Sequence, residues 1–357
     1  MSIPTYSNSY DLKEKMQHVL NLLSEYSGII QEGAPGIAEK FQIHEFELSD
    51  QSPPDLVAVD GSYSFILNVS SVWIVILRIG ALLYEFKENS SQIGYVLKES
   101  YFEDKPEVVA SYREIVKKQS ALHQELFKIS LATGRKAHQT IADGLRRLAE
   151  HNLAHKLAGQ MRDTIIALDG SLTTQPLPPF QDAMQELITN CKQNNNTLIG
   201  VSKDSKTHAF RSFMTDEELL RKAVPDRGLA FVRAPQSFEQ NYTPPLYGDV
   251  YFAHLSPSAP KWFRIDLGTN KETPTEVFSN LAHYARSEIC PGYIFPLIEA
   301  HRYVVAVRHF HQVYEELVFE LGPQYGLKPD DIVLARTNIE GRRYGAFHEF
   351  LDRISRR

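Results

Sequence analysis

Cysteine is almost missing: Cys191 and Cys290 are the two present in 357 residues. That is too few for a disulfide framework or a zinc ribbon, and it points to a reducing compartment, the cytoplasm. Positive charge is not in excess either. With 38 Lys and Arg against 44 Asp and Glu, the net charge is −6, so the whole surface cannot be a basic footprint and any nucleic-acid site must be local. Long apolar runs are also missing. Val72 to Tyr84 is the most apolar stretch, and it contains Arg78; at about 13 residues it falls short of the roughly 20 a membrane span needs. The polar start, Met1 to Tyr10, has no apolar signal core, which predicts a protein kept inside the cell and off the membrane. A phosphate loop of the Gly, four residues, Gly-Lys-Ser/Thr type occurs nowhere, so the chain carries no motor of that kind.

What is present suits a soluble globular protein: 43% hydrophobic, 23% charged, 19 Gly and 19 Pro. The length fits two domains or one elaborated α/β domain. Leu12, Met16, Val19, Leu20 and Leu23 recur at helical spacing, which predicts an amphipathic helix from about Asp11 to Ser27. Such a helix either covers the chain's own core or docks a partner. Residues 32–54 are broken by Gly and Pro, and Leu56 to Phe86 is rich in Val, Ile, Tyr and Phe, which predicts about three strands. Pro106 suits a first helical turn, so 106–163 reads as helical, with Gly134 and Gly144 as breaks. Strand, helix and strand follow over 164–172, 180–192 and 197–202, a parallel pair with a crossover. Three more strands are expected near 228–233, 250–254 and 262–267, then helices over 275–287 and 295–321. Arg342, Arg343, Arg356 and Arg357 give a basic finish. The fold class is therefore α/β, a mixed sheet flanked by helices with additional helices at both ends.

The chemistry points first to a repeat. Val57-Ala58-Val59-Asp60-Gly61-Ser62 and Ile166-Ala167-Leu168-Asp169-Gly170-Ser171 each place a carboxylate at the end of an apolar strand. Asp-Gly alone can be a hairpin turn. Two copies after buried strands favour two carboxylates in one site, where Gly permits close approach of a phosphate or metal. Their mutual repulsion is relieved by protonation or by cations, and oxygen ligands of this type suit Mg²⁺ or Mn²⁺. Two such ions about 3.5–4 Å apart can activate water and stabilise a leaving phosphoester oxygen.

A third acid would complete the cage. Glu150 shares a helical stripe with Leu153 and Leu157, which sets it beside the core. Glu114 is the alternative, although Lys117 and Lys118 at i+3 and i+4 mark a solvated face. His151 and His155 have metal-pair spacing but lack the Glu of a zinc-protease helix. Lys203, in the Gly200 to Ser205 loop, can grip a phosphate. His301 and Arg302 open a helix after the Pro291 to Pro296 turn that carries Tyr293. Local evidence alone reads His301 as a packed core histidine and Tyr293 as a packed aromatic. In a nuclease, histidine could position water and arginine bind phosphate.

In this order and at these separations, the two Asp-Gly-Ser strands, the Gly200 to Ser205 loop and the Gly292 to Arg302 segment resemble the NurA family of nucleases. The likeness spans about Asp55 to Phe319. It implies an RNase H-like, Piwi-related core and a metal-dependent deoxyribonuclease, a 5′-to-3′ exonuclease with possible single-strand endonuclease activity. It implies a role in DNA end resection and repair beside a hexameric HerA ATPase, and a homodimer. Carried over residue by residue, it makes Asp60 and Asp169 metal ligands with Mn²⁺ or Mg²⁺, and Tyr293 and His301 further active-site residues. Lys203 becomes a phosphate contact, and Glu150 matches the family's helical glutamate. Arg302 joins Lys203 as an expected phosphate contact on its chemistry. Ile294 stands where the family usually has proline, and Asp204 adds an acid to the lysine loop. The expected division is a lead-in over 1–54, the nuclease domain over 55–321 and a basic extension over 322–357. Two rival readings remain, a non-catalytic nucleic-acid-binding or scaffold subunit and a small-molecule phosphohydrolase.

Overall fold

The computed structural model of the protein describes residues 13–24, 41–69, 71–89, 92–210, 214–224 and 228–326. Among these, one mixed sheet contains β1 (Ile43–Glu45), β2 (Leu56–Val69), β3 (Val72–Asn89), β4 (Gln92–Ala110), β5 (Ile165–Asp169), β6 (Thr197–Ser202), β7 (Ala230–Arg233), β8 (Asp249–His254) and β9 (Phe263–Thr269). Their spatial order is β1-β7-β8-β9-β6-β5-β2-β3-β4. β2, β3 and β4 form an antiparallel meander, while β2, β5 and β6 run parallel. β9, β8 and β7 continue the sheet antiparallel on the far side. This is the α/β layout of a mixed sheet flanked by helices that the sequence predicts.

Side-chain alternation divides the core into two layers. Leu56 and Ala58 of β2, with Ile165 and Ala167 of β5, pack against Phe278, Leu297 and Ala300 of helices Pro274–Tyr284 and Phe295–Val305. Val57, Val59, Ile166 and Leu168 point the other way, onto Ala154, Leu157 and Met184 of helices Ala137–Gln160 and Pro178–Gln193. Strands covered on both faces read as unbroken apolar runs, which is why these two were legible as strands. Burial of each Val, Leu, Ile, Phe or Met side chain among these contributes about 1.5–3 kcal/mol, and a one-residue slip would exchange the two faces. The register is therefore pinned: Leu56 pairs with Ile165 and Val59 with Leu168.

Three expectations are corrected. Pro106 does not start a helix; it lies within β4 opposite Ile76, and the first helix after it is Arg113–Val116. β4 is the last strand of the sheet, and an edge strand tolerates the missing N–H of proline. Gly144 is no break, because it sits inside the helix Ala137–Gln160, where a Cβ would lie 2.6 Å from Leu126 Cδ2. It is the close-contact point with the preceding helix, Ala121–Thr133, which does end at Gly134. The run over 295–321 is interrupted by a 3₁₀ turn, Ala306–Phe310, before the helix His311–Leu321 resumes.

Residues 13–24 form a helix. Its Met16, Val19, Leu20 and Leu23 are all exposed, so this helix does not cover the core. The remainder of the 1–54 lead-in before residue 41, and the four arginines of the basic finish, lie outside the described residues. No helix among the described residues is long and apolar enough to cross a membrane.

Candidate metal centre

Parallel pairing of β2 with β5 runs Leu56–Ile165 to Val59–Leu168, so the next residues in the same register are Asp60 and Asp169. By alternation both carboxylates project on the face of Leu56 and Ala58. The helix Phe295–Val305 covers that face and brings His301 to them. His301 Nδ1 lies 2.8 Å from Asp60 Oδ2 and 3.9 Å from Asp169 Oδ2. One donor atom from each of Asp60, Asp169 and His301 falls within 4.8 Å of the others.

The surroundings orient the carboxylates. The Gly61 amide donates to Asp60 Oδ1 at 2.7 Å, and the Tyr293 hydroxyl donates to Asp169 Oδ1 at 3.2 Å. Lys203 Nζ donates to Asp169 Oδ2 at 2.6 Å. Burial, then the charges of Asp169 and Glu150, push the Asp60 carboxyl up to about 8. Burial and Asp169 hold the Tyr293 phenol well above its ordinary range, so it stays a donor. Burial and the neighbouring Lys203 push His301 down, which leaves its imidazole neutral at neutral pH.

Glu150 arrives from the other layer. Its helix packs on the Val57 and Val59 face, and its carboxylate reaches the sheet beneath Gly61. A Cβ at Gly61 would lie 2.6 Å from Glu150 Oε1. Only a residue without a side chain leaves room there. Glu150 is buried and paired with Arg146 one turn earlier. Burial pushes its carboxyl up, against the opposing charges of Arg146 and Arg147. It acts on Asp60 electrostatically from across the sheet while standing outside the three-residue donor group.

The other candidates are dispersed. Glu114 is exposed and paired with Lys117 at 2.8 Å on a short surface helix. Arg302 is exposed and paired with Glu299 at 2.9 Å. Asp204 bonds Lys261 at 2.8 Å rather than joining the carboxylates. His151 is buried, and burial pushes it down to about 3.

Sequence reasoning missed the supports. Arg147 donates to the Ser171 carbonyl at 3.0 Å, and Asp266, fully buried and forked by Arg264, accepts from the Leu172 amide at 2.9 Å. The Arg146–Glu150 spacing of four was a readable signal for a helix pair. The Asp266 contact joins residues far apart in sequence and had no local signal.

Two carboxylates and a neutral imidazole are a donor set for Mn²⁺ or Mg²⁺, the nitrogen favouring Mn²⁺. The raised Asp60 carboxyl says the same in electrostatic terms: the cluster holds more negative charge than burial allows without a proton or a cation. The residues present therefore fit such an ion.

A family model described as NurA domain matches residues 54–306. Among solved structures, the NurA nuclease from Sulfolobus solfataricus is 12% identical over 89% of this chain and 99% of that one, with a TM-score of 0.55. A NurA structure bound to dAMP and manganese is 12% identical over 93% of this chain and 100% of that one, with a TM-score of 0.47. Endonuclease V from Ciona intestinalis, in complex with an inosine-containing DNA, is 10% identical over 81% and 98%, with a TM-score of 0.38. No curated protein matches the sequence.

Proposed function

The chain belongs to the NurA family, and from that premise we propose that it is a metal-dependent deoxyribonuclease hydrolysing phosphodiester bonds at Asp60, Asp169 and His301. The observation that carries this reading is the register-matched pair of aspartates, faced by one imidazole nitrogen and with Asp60 pushed up to about 8. A fold that only displayed a surface would have no use for buried like charges, which disfavours the scaffold reading.

Asp60, Asp169 and His301 would hold Mn²⁺ or Mg²⁺, with Glu150 contributing charge from the opposite layer. A bound ion would supply Lewis-acid stabilisation of the charge that develops in phosphodiester hydrolysis. The chain's own residues do the rest. Tyr293 fixes the orientation of Asp169 by donating to Oδ1. Lys203, 40% exposed at its side chain, presents Nζ beside Asp169, where it can also meet a DNA phosphate. His301 keeps Nδ1 on Asp60 while half of its side chain faces solvent, a position from which the neutral ring can orient water or the leaving group.

The reading extends to the family's finer properties: 5′-to-3′ exonuclease action with single-strand endonuclease activity, a homodimer, and cytoplasmic DNA end resection with a HerA-type hexameric ATPase. The missing phosphate loop supports a separate motor. The deciding experiment is incubation of pure protein with end-labelled single- and double-stranded DNA under Mn²⁺, Mg²⁺ or chelator. Ladders that require the metal and show the polarity support the proposal; no cleavage under any metal rejects it. ATP-dependent stimulation of duplex degradation by a co-purified ATPase tests the partner.

A further inference from the structure

Arg146 and Arg147 are consecutive on the helix Ala137–Gln160, and each reaches a different copy of the Asp-Gly-Ser motif. Arg146 Nη1 donates to the Gly61 carbonyl at 3.4 Å and also bonds Glu150. Arg147 Nη2 donates to the Ser171 carbonyl at 3.0 Å. Neighbouring helical residues diverge by about 100°, and adjacent strands lie about 4.8 Å apart, so one helix turn can serve both strands only through two successive side chains.

The motif glycines match this arrangement. A Cβ at Gly61 would sit 3.0 Å from Arg146 Cγ and 2.6 Å from Glu150 Oε1. A Cβ at Gly170, whose φ is +111°, would sit 3.0 Å from Arg147 Nη1. Each glycine thus vacates the space its own arginine uses. The geometry points to Arg146 and Arg147 as positioning residues, one for each aspartate-bearing strand segment, that hold Asp60 and Asp169 level for a shared divalent cation. This inference rests on the metal-site reading above.

Arginine suits the task because its rigid, planar guanidinium is less strongly hydrated than an ammonium and keeps its donors fixed in direction, which a lysine ammonium on a flexible stem does not reproduce. Arg146 serves the Gly61 carbonyl and Glu150 together from one nitrogen, Nη1, held in place by its planar guanidinium. Neither arginine is among the donor residues of the metal cluster, so their effect on an ion passes through the two strand segments.

The test compares Arg146→Ala, Arg147→Ala and both Arg→Lys variants in the full chain, by amide hydrogen exchange and by Mn²⁺ titration calorimetry. Arg146→Ala should speed exchange over residues 60–62 of β2 by about tenfold and leave 169–171 within about twofold, with Arg147→Ala giving the reverse. Each should weaken Mn²⁺ binding by about tenfold or more, the usual effect of removing a group that orients a ligand, and Lys should not restore it. General destabilisation would loosen both segments together, so equal effects overturn the proposal. Full rescue by Lys would show that charge alone matters and also overturns it. If the wild-type protein binds no Mn²⁺ and cleaves no DNA, the nuclease reading fails, while the exchange pattern still decides the clamp.

Discussion

His301 Nδ1 lies 2.8 Å from Asp60 Oδ2, although the two residues come from a helix and a strand separated by most of the chain. At neutral pH the contact holds a proton in the metal-free protein, because burial and two nearby carboxylates push Asp60 up to about 8 while burial and Lys203 push His301 down.

The first prediction concerns stability against pH. The Asp60 carboxyl titrates near 3.8 when exposed and near 8 in the fold, so between these values the folded state binds more protons than the unfolded one. Stability without metal is therefore greatest below the lower value and falls as pH rises toward 8. Asp60→Asn removes this slope. Its melting temperature without metal should exceed wild type near pH 9 by at least about 2 °C, while Mn²⁺ binding and cleavage are lost. Melting curves from acid to alkaline pH, with chelator present, check the sign; a steeper loss in the variant than in wild type rejects the electrostatic account.

A cation and a proton compete for Asp60. Below about pH 8, Mn²⁺ binding should release close to one proton and strengthen about tenfold per pH unit, then level off. Calorimetry in buffers of different ionisation enthalpy reads the released proton directly. Affinity independent of pH between about 6 and 8 would mean that the ion avoids Asp60.

Legibility in the sequence followed range. The aspartates were visible because two apolar runs led into the same three residues, Asp-Gly-Ser, and parallel pairing then set them side by side. The apolar stripe marked Glu150 as buried, and it is. Which sheet face its helix covers is a property of topology, so the stripe could not say that Glu150 approaches beneath Gly61 from the layer opposite His301. Local residues favoured a packed histidine at 301 over one that positions water, and the family likeness tipped the reading toward the active site. Pro106 misled because proline suits both a helix start and an edge strand, and sheet order decides between them.

The two helical acids should separate cleanly. Glu150→Gln leaves the Arg146 charge without its buried counter-ion, a loss of about 1–3 kcal/mol, and should reduce both Mn²⁺ affinity and cleavage. Glu114→Gln touches only an exposed pair with Lys117 and should leave both stability and activity at the wild-type level. Denaturant unfolding and cleavage assays on the same preparations check both. Wild-type cleavage by the Glu150 variant would remove that residue from the site.

Lys203 and Arg302 should differ although both were expected to meet phosphate. Lys203 Nζ already sits 2.6 Å from Asp169 Oδ2, whereas Arg302 is directed to Glu299. Lys203→Ala removes a positive charge from beside the carboxylates, so Mn²⁺ binding should hold or tighten. The same change removes a phosphate partner, so DNA affinity should fall about equally for all sequences and the salt slope should shrink by about 1. Arg302→Ala should alter DNA affinity less, because its charge is already offset by Glu299 at the surface. Fluorescence anisotropy with labelled DNA across a salt series, next to Mn²⁺ calorimetry, measures the opposed signs on one protein. If Lys203→Ala weakens Mn²⁺ and DNA binding alike, the lysine supports the fold of the site rather than contacting phosphate.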